Sequence, residues 1–454
     1  MFKKIEVWIL YLAILISILF SIGFGFLVRQ ELVGGTKLGW LSKTALTLSE
    51  IPVNLRRILK GQSGDLEVID RFPNLMGFDG DPVTFDSYLL LSRYDGDLQE
   101  GVVELIDSTS FEVLHTWNPD VDKFNNLVDK TGKFKYLEID SNNSRALIKR
   151  PKLTGDNYLY YNLDGPGPLI KIDACSNLVN QNTHDPFHHS IEMDIDENIW
   201  APTRMYPQSL PVEKVGRKIR EEGGYVDDAI VKLSPDGEVL FEKSVSQIFI
   251  DNGLEYLLFS IGANNLDPIH LNDIQPVDFS TDYWEKGDVF LSLRNQSMIL
   301  LYRPSNNKII WKGVGPFFHQ HDVDILDEYR ISIFNNNSKN LVNGDVVDGH
   351  NEVIIYDFRT DEYSSYLKDQ LAKNDVRTIT QGRSRILQNG DLFIEETNYG
   401  RTLYFNSDGS LRWTHVNRAK NGNVYTLGWS RILHTGAEIK TVKDFLENKG
   451  VCNE

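Results

Sequence analysis

Half of the histidines in this chain lie in three short segments, in a pattern that suggests imidazole chemistry. The sequence has only ten histidines, yet His188 and His189 stand together in "HHS", His319 and His321 share "HQH", and His270 opens "HLND". A neutral imidazole is a nucleophile or a proton carrier near pH 7. If these segments meet in the fold, they predict a site for nucleophilic or acid–base chemistry.

A repeating strand pattern provides a way for them to meet. Each repeat has a polar or His-bearing lead-in, a strand, a tight turn, a second strand and a hairpin with a turn such as "SPDGE", "PSNNK" or "NSDGS". About six units of roughly 40 to 55 residues predict an all-β chain folded as a six-bladed β-propeller. In a propeller, the residues just before the innermost strand of each blade cluster at one rim, so equivalent positions converge in space.

The repeat alignment therefore selects candidate site residues. A single histidine at such a rim is usually a hydrogen-bonded or exposed lining residue, and the shared phase of the set is what indicates a functional site. The residues that open strands in this phase are His188, His189, His270, Asn272, His319, His321, Arg383 and Arg385.

Three further interpretations concern neighbouring residues. His319 and His321 alternate, so on a strand they would share a face, and a metal-binding pair is a lesser alternative to a donor pair. Asn398 and Arg401 lie at the turn in "TNYGRTLYF", where Arg401 either binds substrate or braces adjacent blades. Asp322 follows His321 directly and is expected to anchor the loop, because adjacent strand residues point to opposite faces.

The amino terminus has the composition of a membrane span. Lys3 and Lys4 precede a nearly uncharged run over residues 7–28, which is long enough to cross a bilayer as a helix. The lysines predict a cytoplasmic amino terminus and a body in the periplasm or on the outer cell face. The expected domains are a transmembrane signal anchor (1–30), a juxtamembrane segment with a short helix around 48–61 (31–80) and the propeller (81–454).

Composition narrows the partners. The net charge of -17 argues against nucleic acid, since phosphate binding needs clustered Lys and Arg. A small anion can still bind in a locally positive pocket. Neither a Gly-rich phosphate loop nor a Cys-x-x-Cys pair is evident, so no cofactor is expected. Cys175 and Cys452 are the only cysteines, and the sequence leaves their pairing open.

One long stretch resembles a known family. It runs from "HLND" through "VFLSLRNQS", "IIWKG" and "HQHDVDIL" to "ISIFNNN", and its order and spacing are similar to those of the bacterial arylsulfate sulfotransferases, over roughly residues 170–415. The resemblance implies a six-bladed propeller. It also implies transfer of a sulfuryl group from a small aryl sulfate donor to a phenolic acceptor, without a nucleotide donor and through a sulfated histidine.

The resemblance also implies roles for individual residues. His321 of "QHD" would be the nucleophile, His270 and Arg294 would bind the sulfuryl oxygens, and the "HHS" pair would contribute one histidine. The repeat alignment leaves His188 and His189 open, and the position of His189 directly before a strand, like that of His321, favours His189. These roles suit the chemistry, because a sulfuryl group shares negative charge over three oxygens and a guanidinium is a rigid, permanently charged fork. The family's Phe-Asp-Asn is replaced by "FNN", with Asn335 in place of the carboxylate.

Other functions remain open from the sequence. A non-catalytic propeller that binds ligands or assembles with partners on the cell surface is the main alternative, because propellers host many unrelated functions. A lyase or hydrolase that acts on an anionic polymer is another, although no long basic groove is evident.

Overall fold

A computed structural model of the protein describes most of the chain. The described residues are 6–32, 38–59, 66–130, 132–134, 137, 142–210, 225–259, 267–341, 344–450 and 452. Seven helices in these ranges are α1 (Val7–Leu32), α2 (Gly39–Leu59), α3 (Val121–Asn125), α4 (Val245–Asp251), α5 (Glu255–Phe259), α6 (Lys368–Lys373) and α7 (Gly436–Asn448).

The N-terminal unit of the chain is helical. Helix α1 has 26 residues and is therefore about 39 Å long, more than the roughly 30 Å of a bilayer's hydrocarbon core. Residues 7–30 within it are long and apolar enough to cross a membrane, with a mean hydropathy of 2.5. Helix α2 begins well before the predicted segment at 48–61. Lys3 and Lys4, on which the predicted orientation depends, lie outside the described residues.

The second unit is built from short strands. They are β1 (Glu67–Val68), β2 (Gly77–Gly80), β3 (Tyr88–Asp95), β4 (Glu100–Asp107), β5 (Val113–Trp117), β6 (Ile148–Leu153), β7 (Leu159–Leu163), β8 (Gly167–Ile172), β9 (Leu178–Phe187), β10 (Glu192–Met193), β11 (Ile199–Arg204), β12 (Asp228–Leu233), β13 (Val239–Ser244), β14 (Leu271–Pro276), β15 (Val289–Leu293), β16 (Met298–Arg303), β17 (Lys308–Val314), β18 (Val323–Ile325), β19 (Arg330–Asn335), β20 (Ser338–Leu341), β21 (Gly344–Val347), β22 (Glu352–Asp357), β23 (Glu362–Tyr366), β24 (Arg383–Ile386), β25 (Leu392–Glu396), β26 (Arg401–Phe405), β27 (Leu411–Val416), β28 (Val424–Tyr425) and β29 (Arg431–Leu433).

These strands form an all-β, propeller-like fold, as predicted. Four separate antiparallel sheets have four or five strands each, in the orders β14-β15-β16-β17, β18-β19-β22-β23, β2-β27-β26-β25-β24 and β29-β3-β4-β5. Two short ladders, β1-β28 and β20-β21, lie outside them.

The predicted number of blades needs correction. Among the described residues there are four separate blade-like sheets rather than six. The remaining strands join in one eight-stranded sheet, ordered β13-β12-β11-β9-β8-β7-β6, with β10 also paired to β11. The physical reason is a single strand pairing, because Phe187 at the end of β9 lies opposite Thr203 on β11. This contact merges two runs that the sequence repeat treats as separate.

Strands from the N-terminal part of this unit pair with strands from its C-terminal part. Strand β2 lies against β27, and the C-terminal strand β29 lies against β3. Strand β1 pairs with β28 in the same way. Residues 67–80, which the sequence assigns to the juxtamembrane segment, thus contribute strands to the sheet unit.

Burial within a sheet depends on strand position. Every residue of the inner strand β15 is buried, whereas all residues of the outer strand β17 except Gly313 are exposed or partly buried. A middle strand such as β15 is apolar on both faces because its neighbours in the fold cover both, whereas the outer edge strand β17 has a face in water. The packing fixes the sheets firmly and leaves the loops at their ends to position functional groups.

A disulfide joins Cys175 and Cys452, whose Cα atoms are 5.3 Å apart. Cys175 follows β8, and Cys452 follows helix α7. The pairing that the sequence left open is therefore present, and it ties the end of the chain to the eight-stranded sheet.

Candidate functional site

Three of the predicted histidines and Arg294 converge on one cavity of about 290 Å³. This volume is at the small end for ligand sites and suits one small aromatic molecule. The lining residues come from distant parts of the sequence and are Lys149, Asp164, His189, His270, Arg294, His321, Thr380, Gln381 and Trp429. His189, His270 and His321, which the repeat alignment selects, are thus brought together with Arg294, which the family resemblance implies.

His321 is held in one orientation by both of its ring nitrogens. Its Nδ1 lies 2.7 Å from Asn336 Oδ1 and 3.0 Å from the His319 carbonyl oxygen, so Nδ1 carries the proton and donates it. Its Nε2 accepts a hydrogen bond of 2.8 Å from the backbone N–H of Gln381. This tautomer places the lone pair of Nε2 on the cavity side, where Gln381 occupies it.

The turn that carries Gln381 has an unusual backbone. Gln381 and Gly382 are both left-handed, with φ of 59° and 81°. A Cβ at position 382 would lie 2.5 Å from Thr378 Cγ2 and 2.8 Å from Phe334 Cε1, so only glycine fits there. The left-handed Gln381 costs conformational energy, and such residues are concentrated at functional sites.

His189 is supported by a histidine and a carboxylate behind it. The Nδ1 atoms of His188 and His189 are 2.7 Å apart, and His188 Nε2 lies 3.3 Å from Asp228 Oδ1. Since one Nδ1 must donate and the other accept, the contact fixes the two rings relative to each other. His189 lines the cavity and His188 lies behind it. The sequence left open which of the two histidines faces the site.

His270 and Arg294 each have an acidic partner. His270 Nδ1 lies 2.5 Å from Asp267 Oδ2, so Nε2 is the nitrogen left for a ligand. Arg294 Nη2 lies 3.3 Å from Asp345 Oδ2. The rings of His189 and His270 are in contact, with centroids 5.2 Å apart.

Trp429 is the aromatic surface of the cavity. Its ring centroid lies 5.9 Å from those of both His189 and His321. The buried carboxylate of Glu395 accepts hydrogen bonds from the backbone N–H groups of Trp429 and Ser430, at 2.8 and 2.6 Å. The guanidinium carbon of Arg150 lies 4.1 Å from the centroid of the Trp429 ring, a cation–π contact. The indole is therefore fixed from two sides.

Arg150 belongs to a buried group of ion pairs. It contacts Asp273 at 2.7 Å, Asp322 at 2.6 Å and Glu192 at 3.2 Å. Asp322 thus points away from the His321 ring and anchors the loop, as expected from its position next to that histidine. Burial raises the pKa of Asp322 to about 7, against the opposing effect of Arg383.

Electrostatics keep the two central histidines neutral. Burial holds the pKa of His189 and that of His321 well below the usual histidine range, with His188 adding to the effect on His189 and Arg294 to that on His321. Burial opposes the charge of Arg294 as well and lowers its pKa. Neutral imidazole is the form of His321 that can attack an electrophile once its Nε2 lone pair is released by the Gln381 N–H.

Seven other predicted site residues do not line the cavity. Asn272 donates to the Gln320 carbonyl oxygen at 2.9 Å, and Asn398 accepts from the Thr380 N–H at 2.8 Å. These contacts support loops that hold lining residues. The seven residues are His188, Asn272, His319, Arg383, Arg385, Asn398 and Arg401.

The three arginines of this group are engaged elsewhere. Arg383 lies 3.7 Å from Asp322, Arg385 pairs with Asp324 and Arg401 pairs with Glu396. Arg401 therefore braces the structure, the second of the two roles considered for it.

His319 is a partly buried histidine outside the cavity. Burial, followed by the charge of Arg294, lowers the pKa of His319 to about 4.

The "FNN" segment shows what replaces the family's carboxylate. Asn335 Oδ1 accepts hydrogen bonds from the backbone N–H groups of Phe318 and Asn337, at 2.9 and 2.8 Å. An aspartate would accept the same two bonds, so the loop keeps its anchor. Asn336 holds His321 and also donates to the carbonyl oxygens of Thr378 and Gln381.

Sequence reasoning missed Lys149, Asp164, Thr380, Gln381 and Trp429. For Trp429 a signal existed, because "WSRIL" echoes "RSRIL" and places Trp429 in phase with Arg383. Lys149 lies inside the strand β6 and Asp164 in the turn after β7, where the repeat pattern marks no functional position.

Comparison with known proteins decides the family. The sequence model described as Arylsulfotransferase (ASST) matches residues 155–418, more than half of the chain. The chain belongs to the arylsulfotransferase family. Family membership supports an arylsulfotransferase activity in general, with aryl sulfates and phenols as the substrate classes. No curated protein matches the chain.

Three solved structures are similar to the chain at low sequence identity. A protein of unknown function from Bacteroides caccae is 11% identical, with 77% of this chain and 100% of that chain covered and a TM-score of 0.44. A streptogramin B lyase is 11% identical, with 78% of this chain and 96% of the lyase covered and a TM-score of 0.37. The Pan2 WD40 domain of Neurospora crassa is 7% identical, with 75% of this chain and 88% of that domain's chain covered and a TM-score of 0.38.

Proposed function

We propose that this arylsulfotransferase moves a sulfuryl group from an aryl sulfate to a phenol in two displacements, through a sulfated His321. The observation that supports this most strongly is the convergence of His321, His270, His189 and Arg294 on one small cavity. Two displacements let a single aromatic site serve donor and acceptor in turn, which suits a cavity of about 290 Å³.

In the first step, His321 Nε2 attacks sulfur. The N–S bond forms, the S–O bond to the aryl group breaks, and its electron pair leaves on the phenolic oxygen. Asn336 keeps the proton on Nδ1, so Nε2 is the attacking atom. Attack requires the Gln381 N–H to leave Nε2, where it lies in this structure.

The sulfuryl oxygens need donors that are already in place. Arg294 offers a charged fork, and His270 donates from Nε2 in its protonated form, because its Nδ1–H is bound to Asp267. Fixed donors of this kind stabilise charge as it develops in the transition state. His189, which is neutral, is suited to accept the proton of the acceptor phenol in the second step.

A second candidate is a ligand-binding propeller without catalysis. The hydrogen bond from Gln381 to Nε2 favours it, because a nucleophile whose lone pair is occupied is inactive until that bond opens. The two functions differ in turnover, since a binding protein takes up an aryl sulfate without releasing a phenol.

The test is release of phenol from a chromogenic aryl sulfate, with and without an acceptor phenol. For His321→Ala we expect kcat/KM to fall by at least about 10³-fold, with the circular dichroism spectrum unchanged. His184→Ala is the matched control, because His184 is partly exposed, pairs with Glu242 and lies outside the cavity. Unchanged turnover in His321→Ala would rule out the nucleophile assignment.

We further propose that residues 1–30 anchor the protein in a membrane and that the sheet unit lies in the periplasm or on the outer face. The apolar helix and the disulfide, which persists in oxidising compartments, support this. Protease digestion of spheroplasts, whose cytoplasmic membrane is intact, that leaves the sheet unit untouched, although lysed cells lose it, would contradict this location.

The domain boundaries follow from the same proposal. We take residues 31–80 as the connection and 81–454 as the main part of the catalytic unit, with β1 and β2 added to it. Both β6 to β9 and β10 to β13 have four strands each, and the pairing of Phe187 with Thr203 joins them in the eight-stranded sheet.

A further inference from the structure

Lys149 is a cation of the cavity to which the sequence gives no role. Its side chain is only 5% exposed, and its ammonium lies 3.2 Å from Asp164 Oδ1. It also contacts Gln381 Oε1 and the Leu427 carbonyl oxygen, the latter at 3.4 Å. Lys149 comes from strand β6 and Arg294 from the end of β15, so the two cations enter the cavity from different sheets.

Lys149 is also linked to the nucleophile through one residue. The side chain of Gln381 contacts the Lys149 ammonium, and the backbone N–H of the same residue contacts His321 Nε2. A sulfate ester bound at Nε2 and displacing Gln381 therefore enters the space beside Lys149.

The proposed reaction leaves one charge without a partner. When the S–O bond breaks, the departing phenolic oxygen becomes negative, while Arg294 and His270 are assigned to the sulfuryl oxygens. His189 and His321 are held neutral by burial, so neither supplies a positive charge to that oxygen. Among the lining residues that the structure describes, Lys149 is the remaining cation.

We propose that Lys149 is a further catalytic residue that binds the phenolic oxygen of the donor as it leaves and of the acceptor as it attacks. This rests on the proposed sulfuryl transfer. As the N–S bond forms and the S–O bond breaks, the electron pair stays on the phenolic oxygen, and the ammonium donates a hydrogen bond to it without losing its proton. The phenolic oxygen of the substrate displaces the Asp164 carboxylate, whose side chain is 49% exposed, from the Lys149 ammonium.

The role predicts a dependence on the leaving group. A weakly acidic phenol, with a pKa of about 10 as in tyrosine, needs the ammonium far more than an acidic nitrophenol, whose negative charge is stable by itself. Lys149→Met keeps most of the length of the side chain and removes the charge. We expect kcat/KM for phenyl sulfate to fall about 30-fold or more, the usual effect of losing a charge-assisted hydrogen bond, and for 4-nitrophenyl sulfate to fall less than about threefold.

The experiment measures kcat/KM for a series of phenyl sulfates in the full-length wild type, Lys149→Met, Lys149→Arg and Lys232→Met. Lys232 is the matched control, a strand lysine that pairs with Asp194 at 2.9 Å outside the cavity. Lys149→Arg keeps a cation and should retain the shallow, wild-type dependence on the phenol's acidity even where its absolute rates are lower. Circular dichroism verifies that each variant is folded.

The two proposals fail in different ways. If the wild type turns over no aryl sulfate, the proposed function is refuted and this role with it. If the wild type is active but Lys149→Met loses the same factor with every donor, or loses nothing, the role of Lys149 alone is overturned. A dependence in Lys149→Arg as steep as in Lys149→Met would also overturn it.

Discussion

At the scale of single residues, the cavity is built from side chains on unusual backbone. His189, His270, Gln381 and Trp429 all have left-handed φ values, from 53° to 66°. None is a glycine, and each such residue costs about 1 to 2 kcal/mol. The buried contacts around them, such as Glu395 on the Trp429 backbone, offset that cost. The functional groups thus keep positions that the chain alone would not choose.

The pH dependence of the first displacement follows from the low pKa of His321. A histidine with a lowered pKa stays neutral as pH falls through 6.5, where an exposed histidine becomes charged. We therefore expect kcat/KM for the donor to stay level from pH 8 to below 6 and to fall only at lower pH. A decline centred near pH 6.5 would contradict a buried, neutral nucleophile.

Asn336→Asp reverses this shift. A carboxylate at 2.7 Å from Nδ1 favours the charged imidazolium and raises the pKa of His321 by about 1 to 3 units. The fall in kcat/KM should move to higher pH by a similar amount. Asn337→Asp is the control, because Asn337 binds the Asp348 and His350 carbonyl oxygens and not His321, and its profile should match the wild type.

At the scale of elements, the repeat predicts which loops converge but not which side chains face the cavity. His270 and His321 precede their strands and line the cavity, yet Arg383 and Arg385 share that phase and pair with buried acids instead. The position of a residue within the repeat determines at which end of its sheet it lies. The direction of its side chain depends on the backbone conformation of each loop. The same limit hid Lys149, which lies within a strand.

The buried ion pairs of Arg150 hold these strands together. Arg150→Met leaves Asp273, Asp322 and Glu192 without their shared cation, and breaking a buried pair in this way typically costs about 3 to 5 kcal/mol. We expect a matching loss in the free energy of unfolding measured with urea. Arg359→Met removes an exposed pair with Asp357 and should leave the urea midpoint unchanged. Equal midpoints for both variants would contradict a structural role for Arg150.

At the scale of the whole molecule, the sheet unit is closed by strands from both of its ends and by one disulfide. The number of separate sheets could not be predicted, because the repeat gives the length of a unit and a single pairing between Phe187 and Thr203 merges two of them. The disulfide could not be predicted either, since its cysteines are 277 residues apart and only the fold brings them together.

Removing the disulfide should lower stability while leaving the site intact. A cross-link over so long a loop stabilises by up to about 5 kcal/mol in the chain-entropy account. We expect Cys175→Ser to lower Tm and to retain aryl sulfate turnover at 25 °C. Reductant should lower the Tm of the wild type to the same value and leave that of the variant unchanged. A wild-type Tm that is insensitive to reductant would show that the disulfide does not form in the isolated protein.

The central claim is that His321 carries the sulfuryl group between donor and acceptor. Intact-mass analysis after addition of an aryl sulfate without acceptor tests it most directly. We predict one added sulfuryl group per chain, located on His321 by peptide mapping and lost when a phenol is added. An unmodified chain, or a sulfuryl group on another residue, would contradict the account.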